Sequence, residues 1–310
     1  MALSLSLAQS ILIMFVMLAC GFAAVKLGIL KSEDSRILSL LSVYIIVPCM
    51  IVDSFQVECT PERLSDFVIL LIAAGITHIV FVAAARLLRG PMKLKRVEEA
   101  SLIYTNSGNL IMPLIALTLG EDMVFFATPY TLIFTVLCWT HGRTLICGGQ
   151  GKTDLRKIFL NINVLACFAG LILFMAGITL PTVPAKAVSS LGSMTGPINM
   201  LLAGMLIAGT DLRKAFTNGR VYIITALRLL ALPALLILVL KLTGLSARAS
   251  SDSVLMITLL AASAPCASTV TSIAQVYDSD PETAVTLNVV TMLLCVITMP
   301  VINLLYQVIL

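Results

Sequence analysis

Two short stretches hold the residues best suited to chemistry. The first is Tyr104-Thr105-Asn106-Ser107-Gly108-Asn109-Leu110-Ile111-Met112-Pro113, set in an apolar run long enough to cross a membrane. The second is Ser263-Ala264-Pro265-Cys266-Ala267-Ser268-Thr269, far down the chain. Amides, hydroxyls, glycine and proline interrupt a helix, because they compete for backbone groups or remove a donor. Lipid tolerates freed backbone groups only where protein or a water-filled cavity covers them. Broken helices at membrane depth therefore mark binding sites. A helix that restarts after a break exposes N–H groups, and its macrodipole adds partial positive charge, so the chemistry predicted is anion binding. Candidate substrate contacts are Asn106, Ser107, Gly108 and Asn109 in the first stretch. In the second they are Pro265, Cys266, Ser268 and Thr269. Pro113 and Pro265 are the expected helix breakers. Asn106 and Asn109 carry a second reading, as amides that join neighbouring helices.

Charged groups within apolar spans are costly and usually have a task. Arg228 stands eight residues after Arg220, about 12 Å along a helix. It has three readings: reaching back to the interface, pairing within the protein, or attracting the anion. His78 stands twelve residues after Asp66, about 18 Å in. It reads as a neutral, hydrogen-bonded side chain or as a proton relay. The acidic residues Asp53, Asp66, Glu98, Glu99 and Asp211 all fall near span ends. Coupling through a carboxylate at the membrane centre thus lacks a candidate. Two histidines and eight scattered cysteines without a CxxC pair give no metal site and no cofactor. No nucleophile–base set suggests an enzyme.

These residues must be positioned by membrane helices. Hydrophobic residues make up 59% of the 310-residue chain and charged residues only 12%, with a mean hydropathy of +1.05. Such a composition excludes a soluble domain and implies an all-α polytopic membrane protein. The net charge of +4 comes without a basic cluster interleaved with aromatics, so no nucleic-acid surface is expected. The first 28 residues lack a basic start and read as a retained first span. Ten apolar segments are legible, punctuated by helix starts such as Thr60-Pro61-Glu62 and Asp280-Pro281-Glu282. With the N-terminus outside, fifteen Lys and Arg residues fall in the inner loops and four in the outer ones. This bias predicts that both termini lie outside the cell membrane.

Segments one to five and six to ten repeat the same plan. Each half has an interrupted fourth span, a short acidic turn and a smoother fifth. Five is odd, so the second half enters from the opposite side, giving two inverted five-helix repeats. The expected units are residues 1–147, a cytoplasmic linker at 148–158, and residues 159–310. Gly148 to Thr153 suggests a phosphate loop but lacks the required earlier glycine and the strand–loop–helix setting. Gly192 and Gly196 have a spacing that permits close helix contact, at the repeat interface or in a homodimer.

The ordered set of Val47-Pro48, Asn106-Ser107-Gly108 through Pro113, Leu180-Pro181, Pro197, Gly204, Ala264-Pro265, Ala274 through Glu282 and Leu293 through Pro300 resembles the auxin efflux carrier family. That family spans bacterial permeases and plant PIN proteins. The resemblance covers nearly the whole chain, and the short loop between the fifth and sixth spans resembles the bacterial members. It implies ten helices with broken, crossing helices 4 and 9, and an elevator mechanism that carries small organic anions such as carboxylates. The chain departs from the family pattern at Asn109, Ile111 and Asn163-Val164. A second reading is a sodium-coupled organic anion symporter of the bile-acid type, which shares the inverted plan. A third is a membrane sensor, although no soluble output domain is present.

Overall fold

The computed structural model describes residues 2–149, 160–210, 216–245, 250 and 252–309. Most of the expected 148–158 linker, along with Asp211, lies outside the described residues. The elements are helical, and no strand occurs among the described residues. In chain order they are α1 (Ala2–Lys26), α2 (Ser32–Ser54), α3 (Pro61–Met92), α4 (Arg96–Ile103), α5 (Ser107–Leu119) and α6 (Glu121–Ile146). The second half holds α7 (Ile162–Met175), α8 (Thr182–Ala208), α9 (Gly219–Thr243), α10 (Asp252–Ser263), α11 (Ser268–Val276) and α12 (Pro281–Ile309). Among the described residues, seven helices are long and apolar enough to cross a membrane: α1, α2, α3, α6, α8, α9 and α12. The shorter apolar helices are α5, α7 and Val254–Ser263 within α10.

Helix starts follow the sequence signals. Thr60 caps α3 by accepting a hydrogen bond from the Arg63 N–H at 3.2 Å, with Pro61 at the first helical position. Prolines inside the spans are accommodated by wide turns that precede them. Wide turns at Ser42–Ile46, Ser107–Ile111 and Leu227–Ala231 are each followed two residues later by Pro48, Pro113 and Pro233. Widening the turn before a proline relieves the clash of its ring with the earlier carbonyl and absorbs the missing donor.

Glycines allow two helices to touch at the backbone. A Cβ at Gly204 on α8 would overlap the Leu18 carbonyl oxygen of α1, and one at Gly21 would overlap that of Leu201. Such contacts replace the hydrophobic driving force that lipid does not provide. Gly192 lies against the Met50 backbone and Gly196 against Pro113, so this small-residue pair serves packing within the chain. Phe55, Phe125 and Phe174 pack ring against ring, with centroids 5.4 and 4.8 Å apart along that series. All eight cysteines are free.

Candidate functional site

The site is built from two breaks that meet. Between α4 and α5 the chain is extended at Tyr104 (φ −99°, ψ 128°). Between α10 and α11 it is extended at Ala267 (φ −65°, ψ 130°). Thr105 and Cys266 pair antiparallel. The Asn106 N–H donates to the Pro265 carbonyl at 2.9 Å, and the Ala267 N–H donates to the Tyr104 carbonyl at 3.0 Å. Each break thus satisfies groups freed by the other, as burial at this depth requires. Pro265 removes a donor and disfavours helix at Ala264.

The first break lies earlier than the sequence predicts. Helix resumes at Ser107 and runs through Pro113, so the interruption lies at Tyr104–Asn106, and Pro113, expected as a breaker, sits inside the helix that follows. The wide turn at Ser107–Ile111 accommodates Pro113 and lets the helix restart sooner. Gly108 does not have a left-handed backbone. Its value is space: a Cβ there would meet only Thr131 Cγ2, at 3.8 Å.

Both restarting helices begin uncapped. Neither Asn106 before α5 nor Ala267 before α11 makes a side-chain cap bond. Asparagine is among the preferred caps, yet here its half-buried amide stays unengaged among the described residues. The Ser107 hydroxyl is buried without a partner among the described residues. The first N–H groups of each helix have no partner within that helix, and they start from adjoining points. Gly108, Asn109, Ser268 and Thr269 are half-buried around these starts. Cys266 is fixed in the wall. Its N–H donates to the Thr291 hydroxyl at 3.1 Å, its thiol faces the Ser101 carbonyl at 3.4 Å, and its carbonyl accepts the Asn288 amide at 2.8 Å.

Arg228 is fully buried, which excludes the interface-reaching reading. Its Nη1 donates to the Ala262 carbonyl at 2.9 Å and its Nη2 to the Ala264 carbonyl at 2.8 Å. The guanidinium therefore caps the C-terminal end of α10, where the helix dipole is negative. It also lies over the Phe81 ring, 5.4 Å from the centroid. Its Nε has no hydrogen-bond partner among the described residues. His78 is buried, with Nδ1 2.8 Å from the Ala74 carbonyl, so Nδ1 carries a proton and Nε2 is left unpartnered among the described residues. Its ring stands 5.0 Å from that of Tyr130, whose hydroxyl accepts from Thr105 at 3.4 Å.

Glu98 and Glu99 lie in the first turn of α4, at a helix end as expected, but both are buried. Glu98 accepts Nε and Nη2 of Arg220 and the Lys95 N–H, and Glu99 pairs with Arg89 at 3.5 Å. Asp66 accepts the N–H and hydroxyl of Ser250. These carboxylates hold helix ends together. No group of three or more His, Cys, Asp or Glu able to hold a metal occurs among the described residues.

Asn199, which the sequence does not mark as a site residue, reaches Asn109 and is itself held by Ser42. The Ser42 hydroxyl donates to Asn199 Oδ1 at 2.7 Å, and Asn199 Nδ2 donates to Asn109 Oδ1 at 3.4 Å. Asn109 Nδ2 then donates to Ser268 Oγ at 3.2 Å. An asparagine within an apolar span was the available signal; its direction on α8 was not legible.

No individual curated protein matches the chain. A family model described as membrane transport protein matches residues 6–303, nearly its whole length. The chain therefore belongs to this auxin efflux carrier-type family of membrane transport proteins.

Proposed function

We propose that the protein is a secondary transporter that moves a small organic anion, a carboxylate, by an elevator form of alternating access. The observation that carries this reading is the meeting of two uncapped helix starts at Ser107 and Ser268. The first N–H groups of the restarting helices, the Asn106 amide and the Ser107 hydroxyl are donors left without an acceptor among the described residues. Arg228 neutralises the carbonyl end of α10 and adds the field of a buried cation close behind the bridge. A carboxylate supplies the acceptors and the charge that this arrangement lacks.

The architecture we propose is ten crossings in two inverted repeats, residues 1–147 and 159–310. In it, α4 with α5 and α10 with α11 are the broken, crossing helices. Contacts between equivalent positions support it. Thr105 pairs with Cys266, both α5 and α11 restart at serine (107 and 268), and Tyr130 and Thr291 each bond one of the bridge residues. Each pair of numbers differs by the same 161 positions. Helix ends also sort into two sides. Lys95–Asp280, Arg220–Glu98 and Ser279 with the Ile146 carbonyl join one set. Asp66–Ser250, Gln56 with the Leu180 N–H and Lys241 with the Ile309 carbonyl join the other. Ten alternating crossings place each set at one face, with the first set cytoplasmic and both termini outside by the basic-loop bias. We take α1, α2, α7 and α8 as the scaffold and the remaining helices as the moving group. Pro113 against Gly196 and Asn109 against Asn199 lie at their boundary.

The test is uptake by proteoliposomes of labelled pyruvate, lactate, malonate, malate, succinate and indole-3-acetate, under imposed proton or sodium gradients. Flux above empty vesicles for at least one carboxylate is expected. Flux for none of them overturns the substrate class. Dependence on the sodium gradient alone identifies the symporter form of the reading.

A further inference from the structure

The four-residue chain from Ser42 to Ser268 has a direction. Ser42 donates to Asn199, Asn199 donates to Asn109, and Asn109 donates to Ser268. Every link runs from the proposed scaffold toward the start of α11. Ser42 and Asn199 are buried, whereas Asn109 and Ser268 are half-buried at the uncapped helix starts. The direction determines what the far end offers. With its oxygen held toward Asn199 and one N–H given to Ser268, the Asn109 amide keeps its second N–H for a ligand. With its oxygen accepting from Asn109, the Ser268 hydroxyl is set to donate.

We infer that Asn199, held by Ser42, is a positioning residue of the substrate site. It fixes the Asn109 amide so that Asn109 and Ser268 each turn a donor to the ligand. This rests on the carboxylate-transport reading above and adds a selectivity rule. The site accepts a ligand whose oxygen at this position carries lone pairs only, such as a carboxylate. It rejects the matching amide, whose N–H groups would face donors. Buried donors left unpaired are the strongest basis of such discrimination. Asn109 alone would not enforce the rule, because a free amide can turn over and offer its oxygen.

The test is uptake of the panel carboxylates by reconstituted full-length protein, with the corresponding amides as competitors. The variants are Asn199→Ala, Ser42→Ala, Asn109→Ala and the Asn109→Ala/Asn199→Ala double variant. For the best-transported carboxylate, Asn199→Ala should raise KM about threefold to tenfold, the worth of one hydrogen bond, with maximal rate per folded protein little changed. Its amide should become a better competitor. Ser42→Ala should move both readouts in the same direction by less, which keeps the test open if Asn199→Ala fails to fold. The double variant should match Asn109→Ala alone, since Asn199 acts through Asn109. Independent, multiplicative effects, or an unchanged KM and amide competition in both Asn199→Ala and Ser42→Ala, would overturn the inference while leaving the transport reading intact. Absence of carboxylate uptake by the wild type would overturn both.

Discussion

Replacing Arg228 with leucine separates a structural cap from an anion attractor. The guanidinium makes two bonds, at 2.9 and 2.8 Å, to carbonyls at the end of α10. Two charge-assisted bonds contribute roughly 3–6 kcal/mol. Removing the cation also relieves a desolvation cost of several kcal/mol. The expected net destabilisation for Arg228→Leu is therefore about 2–3 kcal/mol, since two buried carbonyls lose their donors. At roughly 2–4 °C per kcal/mol, this is a fall of about 4–12 °C in melting temperature. Arg228→Lys should fall between the two, because a single ammonium retains charge but not the fork that reaches both carbonyls. The assay is thermal unfolding of purified, detergent-solubilised protein without substrate, beside uptake at matched protein abundance. A leucine variant that melts within about 1 °C of wild type but loses uptake would refute the capping argument. Arg228 would then act on the anion.

Three further outcomes test the packing, the ion pairs and the topology. Gly204→Val should abolish folded protein, since a Cβ would overlap the Leu18 backbone; overpacking costs about 1–3 kcal/mol or more, and a normally eluting, stable variant would contradict the close α1–α8 contact. Burial alone would raise the Asp280 carboxyl pKa, but bonds from Lys95 and Thr283 and the Lys95 charge outweigh it and hold it below the usual range. Its stabilisation is thus full above the ordinary value of about 3.9 and is lost as pH falls through the lower folded value. Asp280→Asn should melt below wild type at neutral pH, with the gap closing in acid; a gap unchanged at about pH 3 would refute the assignment. For topology, exposed Cys59 should react with an impermeant maleimide in intact cells. A cysteine at Arg96, in a Cys59→Ser background, should react only after permeabilisation, and the reverse pattern would invert the protein.

The sequence made the breaks legible because proline, glycine and amides are conspicuous in an apolar run. Pro265 lies between α10 and α11, and the prolines at 48 and 113 account for wide turns. Directions around each helix were not legible. In a bilayer the lipid-facing and protein-facing sides are both apolar, so periodicity does not report which side is buried. Nothing near Arg228 in sequence indicates that it turns to carbonyls 34 and 36 residues away. Glu98 and Glu99 lay at a span end by sequence, yet α4 is only eight residues long and packs within the bundle. Their arginine partners come from α3 and from α9, 122 residues away for Arg220. Asn199 likewise reaches Asn109 across 90 residues, a contact set by the close approach of α8 to α5 at Gly196 and Pro113.

The proposed anion site stands most directly on Asn106, whose amide lies at the first uncapped start without a protein partner among the described residues. The decisive measurement is the KM for the best-transported carboxylate in Asn106→Ala vesicles, at an abundance and melting temperature matched to wild type. Loss of one charge-assisted bond, about 1.5–3 kcal/mol, predicts a rise of roughly tenfold to a hundredfold. A KM unchanged from wild type would mean that the substrate does not sit at the paired breaks.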